Sequence, residues 1–299
     1  MKITKLPLQP TIEDDYKVTI TEMGNVISVK YVEKANRKQT IQRLNKDEYI
    51  RLSDDTGEVM QINHNNNRSD DKVSLYKTFK TIREIVNTNC VNPDNIKWIT
   101  LTYAENMTDN KRLYKDFANF NKRFQRRYKA EYIAVAEPQK RGAWHMHLMY
   151  IFDDKAPFIS NDELREIWGH GFVNIQRVKD VDNLGAYLSA YLGNLSLDEA
   201  NITEVVDKKC EVIECDVNGQ SKKFVKGGRL PLYPAGMNIY RCSRGIRRPE
   251  KYKTTYKAVK DEMSLYCKTY SSAFQIENEE ADFKSIVITE EYNKVRNKP

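Results

Sequence analysis

The chain has 299 residues, of which 40% are hydrophobic and 30% charged, enough for one large or two small domains; a wholly disordered chain is excluded, and 12 Gly with 9 Pro excludes collagen-like or low-complexity architecture. The net charge is +7, no apolar run approaches the roughly 20 residues of a membrane-spanning helix, and Met1-Lys-Ile-Thr-Lys-Leu-Pro7 lacks a secretory apolar stretch, so a cytoplasmic protein with no membrane partner is expected. Five cysteines, an odd number without a CxxC pair, point to reduced thiols rather than a disulfide framework or zinc ribbon.

In chain order, alternating stretches around Tyr16 to Thr21 and Val26 to Val32 flank Met23-Gly-Asn25 and predict a strand, a tight turn and a strand within a β-rich appendage over 1–70. The polar segment Asn63 to Asp70 reads as a linker. A helix from Lys72 to Val86 follows, with Val73, Tyr76, Phe79 and Ile82 at helical spacing. Trp98-Ile-Thr-Leu-Thr-Tyr103 reads as a buried strand, and Asn110 to Tyr128 as an amphipathic helix with Leu113, Phe117, Phe120 and Phe124 on one face. Glu131 to Glu137 and Trp144 to Ile151, joined by Pro138-Gln-Lys-Arg-Gly142, predict an antiparallel hairpin. A helix after Ser160 to Trp168, a strand from Phe172 to Val178 and a helix from Val181 to Gly193 complete an α+β pattern with a central antiparallel sheet. No internal repeat is present. The expected division is 1–70, 71–198, and a basic C-terminal region with an acidic tail over 199–299.

Charge is unevenly spread. Lys111 to Arg141 holds ten Lys and Arg against three acidic residues, and Lys222 to Lys260 holds twelve against Glu250 alone. Basic blocks interleaved with Tyr233, Tyr240, Tyr252 and Tyr256 suit phosphates and stacked bases, although charged faces also serve only to stay solvated. Arg123, Arg126, Arg127, Arg141, Arg241, Arg244, Arg247 and Arg248 are the candidate DNA contacts.

Residues two apart on a strand share a face, so His145 and His147 emerge side by side while Met146 points away. A hairpin turn centred near Arg141 places Glu137 opposite His145 and diagonal to His147. Two imidazoles and a carboxylate suit a divalent ion such as Mn²⁺ with positions left open for phosphate oxygens; two histidines on an edge strand are the plain alternative. Tyr187 and Tyr191 lie one helical turn apart among Gly185, Ala186, Ser189, Ala190 and Gly193, small neighbours expected to leave that face open to nucleic acid. Alone, such a pair is ordinary packing. His64 and His170 read as turn or surface residues, and Cys210 with Cys215 lacks the companion pair zinc needs. The phosphate-cradling GxxxxGK[ST] is absent, so no nucleotide cofactor is expected.

Three segments in order, Trp98 to Tyr103, Gly142-Ala-Trp-His-Met-His-Leu-Met149 and Tyr187 to Tyr191, resemble the motifs of the HUH endonuclease superfamily, most closely the rolling-circle replication initiators of plasmids and single-stranded DNA phages. The resemblance spans about residues 95 to 195. It implies a ferredoxin-like nuclease core, Mn²⁺ or Mg²⁺ held by Glu137, His145 and His147, nucleophilic Tyr187 and Tyr191, and nicking of single-stranded origin DNA through a 5′-phosphotyrosine intermediate, with a host helicase and polymerase as partners. The lysine that the family usually carries three residues after a catalytic tyrosine is Ala190 or Asn194 here; Arg177 or Lys179 is a candidate substitute. A non-catalytic origin-binding repressor is the rival from another class. Transposases and relaxases are rivals of the same chemistry, the latter ranked lower because these tyrosines follow the HxH.

Overall fold

The alternation in the middle of the chain resolves into one layered sheet in the computed structural model, which describes residues 2–7, 10–35, 41–45, 47–51, 59–61, 72–178, 182–196, 212–217, 220–225, 228–279 and 282–296. In chain order the elements are β1 (Lys2–Lys5), β2 (Lys17–Met23), β3 (Val26–Val32), β4 (Ile41–Arg43), β5 (Glu48–Arg51), β6 (Val59–Gln61), α1 (Lys72–Asn89), β7 (Ile96–Thr102), α2 (Asn110–Arg127), β8 (Glu131–Pro138) and β9 (Trp144–Ile151). They continue through α3 (Asn161–Trp168), β10 (Val173–Arg177), α4 (Leu184–Gly193), β11 (Leu195–Ser196), β12 (Val212–Val217), β13 (Gln220–Val225), β14 (Tyr240–Cys242), β15 (Glu250–Thr255), α5 (Lys260–Leu265), β16 (Cys267–Asn278) and β17 (Phe283–Asn293). Among the described residues no helix is long and apolar enough to cross a membrane. The linker expected at 63–70 and His64 lie outside the described residues.

The chain groups into two compact units, one of 1–21, 27–66 and 251–299, the other of 22–26 and 67–250. This grouping cuts across the boundaries expected at 70 and 198. The stretch read as an acidic tail carries the hairpin of β16 and β17, whose residues join the N-terminal strands in the six-stranded order β1-β16-β17-β3-β2-β15. Net charge hid that pairing, because charged residues interrupt the alternation without preventing strand formation. Gly24 turns β2 into β3 at φ +60°, as expected of the Met23-Gly-Asn25 turn.

The second unit holds a five-stranded antiparallel sheet in the order β10-β7-β9-β8-β14. The succession β7-α2-β8-β9-α3-β10, with β7 and β9 central, is a ferredoxin-like arrangement, so the fold is α+β with a central antiparallel sheet. β14, three residues long and too short to read from pattern, extends the edge.

The even-numbered residues of β8 and β9 face α2 and α3. Phe117 meets Tyr132 edge-on and Phe124 stacks on Tyr150 at 3.9 Å between centroids. The four apolar residues predicted for α2 are all buried. The helix starts where Asp109 accepts from the backbone N–H of Lys111 and Arg112, a cap worth about 1 kcal/mol. The helix α3 starts on Ser160 and stops at Gly169, whose φ of 72° is the left-handed closure glycine favours. The opposite face of the sheet carries α1 and α4, which pack on each other. The buried side of α1 is Leu75, Ile82, Ile85 and Val86; Tyr76, expected inward, is 70% exposed, because the inward stripe runs one residue out of phase with the predicted one at that turn.

Candidate functional site

The hairpin register is as the sequence predicts. Glu137 pairs with His145, Val135 with His147, and on the other side of β9, Thr102 pairs with His145 and Thr100 with His147. The turn closes through Gln139 N–H to Ala143 O at 2.8 Å and Gly142 N–H to Gln139 O at 2.8 Å, with Gly142 at φ +86°, a conformation that favours glycine. Glu137, His145 and His147 therefore share the face that carries α1 and α4, and their ligand atoms all lie within 4.8 Å of one another.

Electrostatics distinguish this cluster from a set of surface groups. Glu137 is buried, and its Oε1 accepts an ion pair from Arg229 Nη2 at 3.0 Å. Its Oε2 faces His147 Nε2. Burial alone would raise the Glu137 pKa, but His147, by charge and hydrogen bond, together with Arg229 and His145, holds it below the usual carboxylate value. His147 Nδ1 lies 3.2 Å from the Thr100 hydroxyl. If Nδ1 donates there, the Nε2 lone pair points at an anionic oxygen, a pairing that needs a proton or a cation between the two atoms. Burial is the largest cause lowering the His145 pKa to about 4; His147, Arg229 and Arg141 add to it, while Glu137 opposes it. His145 Nε2 is buried without a hydrogen-bond partner. A neutral imidazole with an unmet buried nitrogen beside a carboxylate and a second imidazole is a donor set that fits a divalent cation.

Trp98 links this set to α4. On the same face of β7, its ring lies 6.1 Å from that of His147 and 5.5 Å from that of Tyr187, edge-on to both. Tyr187 is thus brought to the metal-ligand face; Tyr191 lies on the same helix, and its side chain lies outside the described residues. The small residues of α4 serve a different purpose from the one expected. A Cβ at Gly185 would collide with the Arg83 carbonyl and the Asn87 side chain, and one at Gly193 would press on Phe79, so these glycines let α4 approach α1 rather than leave a face open to nucleic acid. Asn87 Oδ1 accepts from Gly185 N–H at 2.7 Å, and Asn87 Nδ2 donates to Asn183 Oδ1 at 2.9 Å, which fixes the start of α4.

Most of the predicted arginine contacts are placed away from the ligands. Arg123 donates to Ile167 O and Trp168 O, closing the end of α3, and Arg127 pairs with Glu163 at 2.9 Å. With exposed Arg126, they lie on the helix covering the opposite face. Arg241 stacks its guanidinium 3.9 Å from the Tyr114 ring centroid. Arg244, Arg247 and Arg248 are exposed in the segment whose Gly245 N–H donates to Glu131 and whose Arg247 backbone bonds Asn89, at the end of β8 remote from Glu137. Arg141, in the hairpin turn, is the one of the eight whose charge acts on a ligand. Arg177 pairs with Asp94, and Lys179 lies outside the described residues. His170, exposed to about a third, lies 3.7 Å from Asp116 and away from the cluster. Arg229, 3% exposed, was not among the expected site residues, and no local pattern in Gly227-Gly-Arg-Leu-Pro231 marks it.

The segment that carries these ligands and the start of the tyrosine helix is also the segment with a recognisable relationship. Residues 96–196 match the family of the replication-associated protein ORF2, or gene II protein. The match covers about a third of the chain and spans β7 to β11, including Glu137, His145, His147 and Tyr187. It is consistent with a replication initiator. Neither the curated proteins nor the solved structures contain a match to this chain.

Proposed function

We propose that this chain is a rolling-circle replication initiator of the HUH type, which nicks and rejoins single-stranded origin DNA. The observation that carries the reading is the convergence of Glu137, His145 and His147, with donor atoms within 4.8 Å, on the sheet face where Trp98 also meets Tyr187. The similarity to a replication-associated family over this same segment supports it.

Glu137 Oε2, His145 Nε2 and His147 Nε2 would hold Mn²⁺ or Mg²⁺, which when bound supplies Lewis-acid polarisation of the scissile phosphate. Tyr187 or Tyr191 attacks phosphorus through its phenol oxygen. A tyrosyl O–P bond forms, the P–O3′ bond breaks, the phenolic proton is lost and a 3′ hydroxyl is released to prime synthesis. Keeping the linkage as a phosphoester leaves it available for rejoining, which hydrolysis by water would forfeit. Trp98 limits the position of the Tyr187 ring, which favours in-line attack through orientation.

The test is denaturing-gel detection of protein joined to labelled single-stranded oligonucleotides spanning the origin of the encoding replicon. A covalent band is expected with Mn²⁺ and none after chelation. The combined Tyr187→Phe and Tyr191→Phe variant should yield no band; a persisting adduct would move the nucleophile elsewhere, and origin binding with no adduct from the native chain would select the repressor reading.

A further inference from the structure

The buried arginine beside the ligands has a geometry that a counter-charge alone does not require. All three kinds of guanidinium nitrogen are engaged: Nη2 with Glu137 Oε1 at 3.0 Å, Nη1 with Pro138 O at 2.9 Å, and Nε with Asn194 O at 2.9 Å. The Arg229 backbone N–H also donates to Gly193 O at 3.2 Å. Four residues on, the fully buried Tyr233 hydroxyl bridges Leu192 O at 3.1 Å and Ala136 O at 3.2 Å. One short segment therefore grips the carbonyls that end α4 and, at the same time, the strand end that presents Glu137.

We propose that Arg229 is a positioning residue that makes Glu137 a one-oxygen metal ligand and locks that ligand to the helix bearing Tyr187. The inference rests on the metal-dependent reading above and extends it. With Oε1 held by the guanidinium, only Oε2 is turned toward the His147 nitrogen, so Glu137 cannot rotate to chelate through both oxygens. The planar fork fixes the carboxylate plane as a flexible ammonium would not. Its positive charge also offsets that of Glu137, so a bound divalent ion keeps more of its pull on a phosphate oxygen than it would beside an uncompensated carboxylate. The helix end is served by the same group, because terminal carbonyls of a helix favour a cationic donor.

Arg229→Lys keeps the charge and discards the fork, so it separates positioning from charge compensation. Mn²⁺ affinity, read by electron paramagnetic resonance of the free ion, should weaken about tenfold, the scale on which groups that orient ligands act. Affinity for a single-stranded oligonucleotide in chelator should be unchanged. A cycle with Glu137→Gln guards against a variant that merely folds poorly. If Arg229 acts through Glu137, R229K/E137Q binds Mn²⁺ no more weakly than E137Q, whereas losses that multiply would overturn the inference. Unchanged Mn²⁺ affinity in R229K would also overturn it while leaving the initiator reading intact. Absence of Mn²⁺ binding by the native chain would remove the metal centre itself and both readings with it.

Discussion

The two faces of the five-stranded sheet are built from the same strands and have opposite polar economies. On the α2 and α3 face each aromatic with a polar handle has a partner: Tyr150 donates to Asn121 at 2.8 Å, Tyr103 to Asp116 at 3.0 Å, and Trp168 Nε1 to Thr102 O at 3.0 Å. On the α1 and α4 face, one residue further along the same strands, His145 Nε2 is buried without a partner and Glu137 needs both Arg229 and His147 around it. Buried polar groups are ordinarily satisfied because an unmade hydrogen bond costs about 1–3 kcal/mol. A face that seals every group holds the fold together; a face that leaves a nitrogen unmet retains capacity for a ligand.

That contrast breaks first at the histidines. His145→Ala combined with His147→Ala should reduce Mn²⁺ binding and adduct formation below detection while leaving a cooperative thermal transition; a collapse of the fold would show that this face is structural after all. Phe124→Ala, on the opposite face, should lower the free energy of unfolding in urea by about 3–5 kcal/mol, since it empties the stack on Tyr150. Its folded fraction should bind Mn²⁺ as the native chain does. Trp98→Leu sharpens the boundary between the two behaviours. It keeps every ligand and removes the ring between His147 and Tyr187, so single-turnover adduct formation should fall about 100-fold with metal affinity unchanged.

Local signals carried most of the sheet and the ligand set. A short turn between two apolar strands leaves few registers, and the one centred near Arg141 brings Glu137 opposite His145 as expected. Helix α2 was equally legible because its apolar stripe repeats through Leu113, Phe117, Phe120 and Phe124. Partnerships at long range left no such trace. Arg229 meets Pro138 across 91 positions, and its surroundings in sequence resemble any basic loop. The other arginines were read from charge density alone, which does not tell Arg123, engaged at the end of α3, from exposed Arg126. Glycines in α4 looked like empty space because sequence shows what a residue lacks, not the backbone of α1 that fills the gap.

The sheet shared by β3 and β17 sets an order of events during synthesis. Lys34 N–H reaches Ser285 Oγ across 251 positions, so the first strands leave the ribosome long before their neighbours exist. Nearly all of the intervening unit, residues 67–250, is by then available to fold on contacts of its own. A nascent chain stalled before Cys267 would carry β2 and β3 with an open hydrogen-bonding edge, the surface most prone to pair with a stranger.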